Sequence, residues 1–222
     1  MSDEPPAAPP ENPGSFGIVE SLLKRPLQII YRAQMPRRAP LLVGLVAVIV
    51  AGAAAYGIVM GAFAGGRQFW AAPVKLTMGT LACALFCLPG LYIAACLSGR
   101  DVKLGEVATY LLAAVALTNV LMLGYAPAAW LFSVSTNSAV FMGALHLMVW
   151  CVGMIAGLRL LVLAFAEARP VFRGHLLAWL VMFLLVCLQM TTTLRPLVGT
   201  ADRFWPTEKR FFIGHWWDCV TK

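Results

Sequence analysis

Apolar residues gather in five long stretches, at residues 40–64, 76–97, 108–132, 139–165 and 176–194, separated by short polar or Gly/Pro-containing links. Each stretch is long enough to cross the roughly 30 Å hydrocarbon core of a bilayer as a helix. The pattern predicts an all-α polytopic membrane protein, a bundle of five transmembrane helices spanning residues 40–195.

Ahead of the first stretch the pattern changes. Ile18, Val19, Leu22, Leu23, Ile29 and Ile30 recur at helical spacing and are interrupted by Lys24, Arg25 and Arg32. This predicts an N-terminal amphipathic helix pair over residues 15–39, its apolar side in the headgroup boundary and its basic side on anionic lipid. Ser15 can cap the first piece, and Pro26 suits the first position of the second. Residues 1–14 are acidic and proline-rich, have little to bury, and are expected to be disordered. They contain no apolar run with a small-residue cleavage site, so no removable signal peptide is expected and the first span serves as its own insertion signal.

Composition agrees with lipid as the solvent: 60% of residues are hydrophobic and only 12% charged, which a soluble core and shell could hardly accommodate. The net charge of +7 could point to nucleic acid, but the basic residues sit at span edges. Lys24, Arg25, Arg32, Arg37 and Arg38 precede the first span, Arg100 and Lys103 lie in the second link, and Arg169 and Arg173 in the fourth. Arg67 and Lys75 flank the first link, and the third has none. The positive-inside rule therefore puts the N-terminus in the cytoplasm and, after five crossings, the C-terminus outside the cell membrane. The basic residues of the last segment, Arg195, Arg203, Lys209, Arg210 and Lys222, pull against that orientation.

Little in the spans carries chemistry. Cys83, Cys87, Cys96, Cys151 and Cys187 lie in apolar surroundings, where a thiol packs as a small hydrophobe, and no His or carboxylate joins Cys83 and Cys87 to complete a zinc shell. His146 and His175 would have to share one level to ligate heme, yet one belongs to the outer part of the fourth span and the other to the cytoplasmic start of the fifth. No carboxylate lies near a span centre, and no nucleophile–base pair shares a depth, so neither a cofactor nor an enzyme activity is expected.

Small residues recur instead. Ala53, Gly57, Gly61 and Gly65 stand at every fourth position of the first span, and Gly153 and Gly157 repeat the spacing in the fourth, forming ridges on which another helix backbone can pack. Those two helices are candidates to pack on each other or on a neighbouring protomer. Pro89-Gly90 should kink the second span. Uncharged polar residues gather toward the outer surface: Asn137 in the third link, Gln189, Thr192 and Arg195 at the end of the fifth span, and Asn119 and His146 deeper. If they converge they form a polar vestibule; the plainer expectation is hydroxyls bonded to their own helices and amides linking neighbours. The last segment, residues 196–222, places Phe204, Trp205, Phe211, Phe212, Trp216 and Trp217 among basic residues. Aromatic rings just past a span belong to the interfacial belt, and on the outer side they meet no nucleic acid; they are candidate contacts for headgroups or a partner.

The run Thr193-Leu194-Arg195-Pro196 with Gly199, followed by that aromatic-basic tail, resembles the end of a bacterial family of small multi-span inner-membrane proteins. The leader with its Lys-Arg-Pro step and five closely spaced spans, over roughly residues 20–200, resembles the Yip1-like group, which implies a part in membrane trafficking or organisation and carries over no functional residue. The expected function is a non-enzymatic membrane-organising or partner-binding subunit, in contact with the lipid bilayer and with a second copy of itself or another membrane protein. The alternative is a homo-oligomeric channel lined by uncharged polar residues.

Overall fold

The computed structural model describes residues 15–66, 68–97, 102–165 and 170–193. It is all-helical: α1 (Ser15–Lys24), α2 (Pro26–Gln34), α3 (Ala39–Ala64), α4 (Gln68–Leu97), α5 (Leu104–Ser135), α6 (Ala139–Ala164) and α7 (Pro170–Thr193). Four helices have the length and composition to cross a membrane, over Ala39–Phe63, Gln68–Leu97, Leu104–Ser135 and Val140–Ala164; Gly174–Gln189 of α7 forms a shorter apolar helix. The chain is an integral membrane protein with a helical, multi-pass core.

The centre of the bundle is α5, which packs on α3, α4 and α6, while α7 packs on α4. Its buried residues point in all directions, from Val107 and Leu111 to Ala126 and Ala129, as expected of a helix enclosed by others rather than facing lipid along one side. Neighbouring helices approach through small residues. A methyl group added at Gly57 would stand 2.5 Å from Pro73 Cα, and one at Gly61 would stand 2.6 Å from the Gln68 carbonyl oxygen. On the other side of the bundle, one at Gly153 would lie 2.9 Å from the Thr118 carbonyl oxygen, and one at Gly157 would run into that of Ala114. The two ridges thus face α4 and α5, not each other. Ala53 is fully buried. Gly65 packs on nothing: with Gly66 it adopts positive φ, 68° and 55°, and turns α3 into α4 within three residues, a conformation few other residues hold without strain.

The second membrane helix begins at Gln68, two turns before the apolar run does. The apolar stretch taken to start at residue 76 leaves Pro73 and Lys75 in the first link. Both fit here because that end of α4 lies on the glycines of α3. Pro89 is likewise inside α4. Beside it Gly90 admits the Trp179 and Met182 side chains of α7, and the Trp179 indole donates to the Cys87 carbonyl at 3.0 Å. Proline removes the backbone bond to the Leu85 carbonyl, and the indole bond one turn away ties this weakened stretch of α4 to α7.

The leader also differs from expectation. Pro26 opens α2, but Ile18, Leu22, Ile29 and Ala33 are buried against α3 and α5 instead of facing headgroups. Gly44 of α3 makes room for Ile18. Protein contact claims the strongest apolar stripe, leaving Phe16, Leu27 and Tyr31 exposed. At this end Tyr110 donates to Glu106 at 2.8 Å and accepts from Gln34 at 3.3 Å, which ties α2 to α5.

Candidate functional site: a buried polar layer

Away from the leader, four helices bring polar side chains into one layer. Tyr56 of α3 is fully buried and His146 of α6 is 5% exposed; the Tyr56 hydroxyl and His146 Nδ1 share a 2.9 Å hydrogen bond. Their rings meet edge to face with centroids 5.5 Å apart. Met60, Met122, Ala126, Ala129 and Val149 form an apolar cluster with Tyr56, so the bond lies in apolar surroundings where an unmade one is costly. His146 Nε2 is buried and has no hydrogen-bond partner among the described residues.

Lys75 of α4 is only 2% exposed. Because Gly57 faces Pro73, Tyr56 and Lys75 occupy adjoining turns of antiparallel neighbours and stand at nearly one level. Gln68, Ala72, Lys75, Gly79 and Cys83 are all buried, at the spacing of one helix face directed into the bundle. About one turn closer to the leader, Asn119 of α5 lies against Gly52 of α3 and donates to the Val115 carbonyl at 2.8 Å. Thr118 shares its hydroxyl between the carbonyls of Ala114 at 3.0 Å and Gly153 at 3.1 Å, stitching α5 to α6.

Of the residues singled out for a vestibule, Asn119 and His146 therefore enter the layer as buried groups. Asn137 remains in the exposed link between α5 and α6. Gln189 lies near the end of α7, just past Cys187, whose sulfur is 3.0 Å from that of Cys83 in α4. The Thr192 side chain, Arg195 with its Thr-Leu-Arg-Pro run, and the aromatics Phe204, Trp205, Phe211, Phe212, Trp216 and Trp217 lie outside the described residues, as do residues 1–14. His175 is exposed at the start of α7, apart from buried His146. Among the described residues no three His, Cys, Asp or Glu side chains gather closely enough to hold a metal ion.

Sequence reasoning passed over Tyr56, Gln68 and Lys75. A tyrosine inside an apolar run reads as packing, and Lys75 read as a flank. The signal was the small-or-polar face running from Gln68 to Cys83, visible only once the helix is started early enough. Chemically the layer offers a hydroxyl bonded to an imidazole and an amine in a dry setting. Compared with known proteins, the chain matches no family model, no curated protein and no solved structure.

Proposed function

We propose that this integral membrane protein is a membrane-organising or partner-binding subunit, not an enzyme, with a fifth crossing formed by α7, a cytoplasmic leader and an extracytoplasmic tail. The observation that carries the reading is how the intramembrane polar groups are used. Thr118, Asn119 and Trp179 bond to backbone carbonyls of their own or adjacent helices, and Tyr56 bonds to His146. Groups so engaged fix helix positions, whereas a conducting path needs them turned toward water. The aromatic-basic tail would then add an exposed contact surface, and a second copy of the chain or another membrane protein would be the partner.

Lys75 favours a second reading, solute or proton movement through the layer, because an amine within a membrane helix is costly to keep unless it serves a path or a partner. One experiment separates the two. Purified full-length protein is reconstituted into liposomes and ion and proton flux is measured against protein-free vesicles. The subunit reading expects no selective flux, together with a mass in mild detergent above that of one chain. Robust selective flux abolished by Lys75→Met would overturn it.

A further inference from the structure

On the flank of the bundle away from α4, a groove of about 490 Å³ runs between α5 and α6 and is closed at the leader end by the corner joining α1 and α2. Its volume lies in the roughly 300–1,000 Å³ range of small-molecule sites. Leu117, Leu121, Val152, Ile155, Leu160 and Leu163 make its walls, with Leu22, Leu23 and Pro26 of the leader at its foot. From Val152 to Leu163 the groove follows α6 for roughly 16 Å at the helical rise, about one leaflet of a 30 Å hydrocarbon core.

One charged residue lines this apolar channel: Arg159, which is exposed. It stands five residues before the end of α6 at Ala164, so its guanidinium reaches the leader-side interface by extending along the groove. Among the described residues it makes no hydrogen bond or ion pair, and none of those lining the groove is acidic. Arg25, also exposed, sits at the leader corner between Leu23 and Pro26, and Lys24 beside it is held by Glu20 at 3.2 Å. An acyl-length apolar slot ending at an exposed guanidinium complements an amphiphile with a negative head. Arginine suits a phosphate in particular, since its planar fork can donate two parallel bonds to the phosphate oxygens.

We propose that this groove binds one anionic phospholipid from the leader-side leaflet, an acyl chain lying between α5 and α6 and the phosphate on Arg159. The site is independent of whether the protein conducts. Bound this way, the lipid links α6 to the α1–α2 corner.

The test is native mass spectrometry of the full-length protein released from nanodiscs of equal phosphatidylglycerol and phosphatidylcholine. One retained phosphatidylglycerol per chain is expected, favoured at least fivefold over phosphatidylcholine. Arg159→Gln should erase the preference, Ala156→Trp should reduce retention of both lipids by filling the slot, and Lys103→Gln, which removes an exposed charge at the same end outside the groove, should change neither. A photoactivatable phosphatidylglycerol on the unmutated protein gives a readout that needs no variant: its acyl label should map to peptides of α5, α6 and the leader corner. Retention without headgroup preference, equal loss on Lys103→Gln, or label elsewhere would overturn the proposal.

Discussion

The described glycines range from those at which a methyl group would collide with backbone to those with open space. At Gly57 and Gly157 an added carbon meets the backbone of the neighbouring helix, while at Gly124 and Gly143 nothing lies within 4 Å. Backbone cannot swing aside as a side-chain tip can, so Gly57→Ala and Gly157→Ala should each cost about 1 to 3 kcal/mol, the usual range for overpacking. Gly124→Ala and Gly143→Ala should be neutral or gain roughly 0.5 to 1 kcal/mol from the better helix former. Unfolding of the detergent-purified proteins by titrated SDS ranks the four; equal stability across the set would refute the packing assignment. The Tyr56–His146 bond invites a double-mutant cycle with Tyr56→Phe and His146→Leu in the same assay. A coupling of about 0.6 to 1.7 kcal/mol is expected from membrane-protein precedent, and additive effects would show that the contact contributes nothing. The small-residue ridges were legible because their spacing alone implies a close neighbour. That Tyr56 would find His146, a residue ninety positions away, was not, since which faces meet depends on the packing of all the helices together.

At the scale of elements, apolar length was the legible quantity: of the five stretches it located, four form helices of membrane-spanning length and the last, in α7, forms a shorter apolar helix. Element ends that depend on partners escaped it: α4 extends past Pro73 and Lys75 onto the glycines of α3, and the leader turns its apolar stripe onto α3 and α5. The same dependence makes the placement of α7 testable. Cys83 and Cys187 are free thiols with sulfurs 3.0 Å apart, so a membrane-permeant oxidant should join them within one chain. With the other native cysteines replaced, peptide mapping should recover the Cys83–Cys187 pair in high yield, and no such link would mean that α7 does not dock on α4 in the membrane. Losing the indole bond through Trp179→Phe should lower that yield.

For the molecule as a whole, the fifth crossing proposed for α7 would make the number of crossings odd and put the two chain ends on opposite sides of the bilayer. Single cysteines replacing Gly14 and Thr207, in a background lacking the native ones, should react with an impermeant reagent from the cytoplasm and from outside respectively. Labelling from one side at both would leave four crossings, with α7 failing to span. The glycine contacts carry a further consequence, for how the chain is made. The closest backbone approaches join helices that are consecutive in the chain, α3 to α4 and α5 to α6, so each pair is a helical hairpin that can lock as soon as its second member leaves the translocon. The two finished hairpins then dock along α3 and α5, with the leader packing on both of those helices and α7 on α4. A gene cut within codons 98–103 and expressed as two pieces should accordingly yield fragments that find each other in the membrane and co-purify, whereas a cut between α3 and α4 would separate partners that the ribosome normally delivers together.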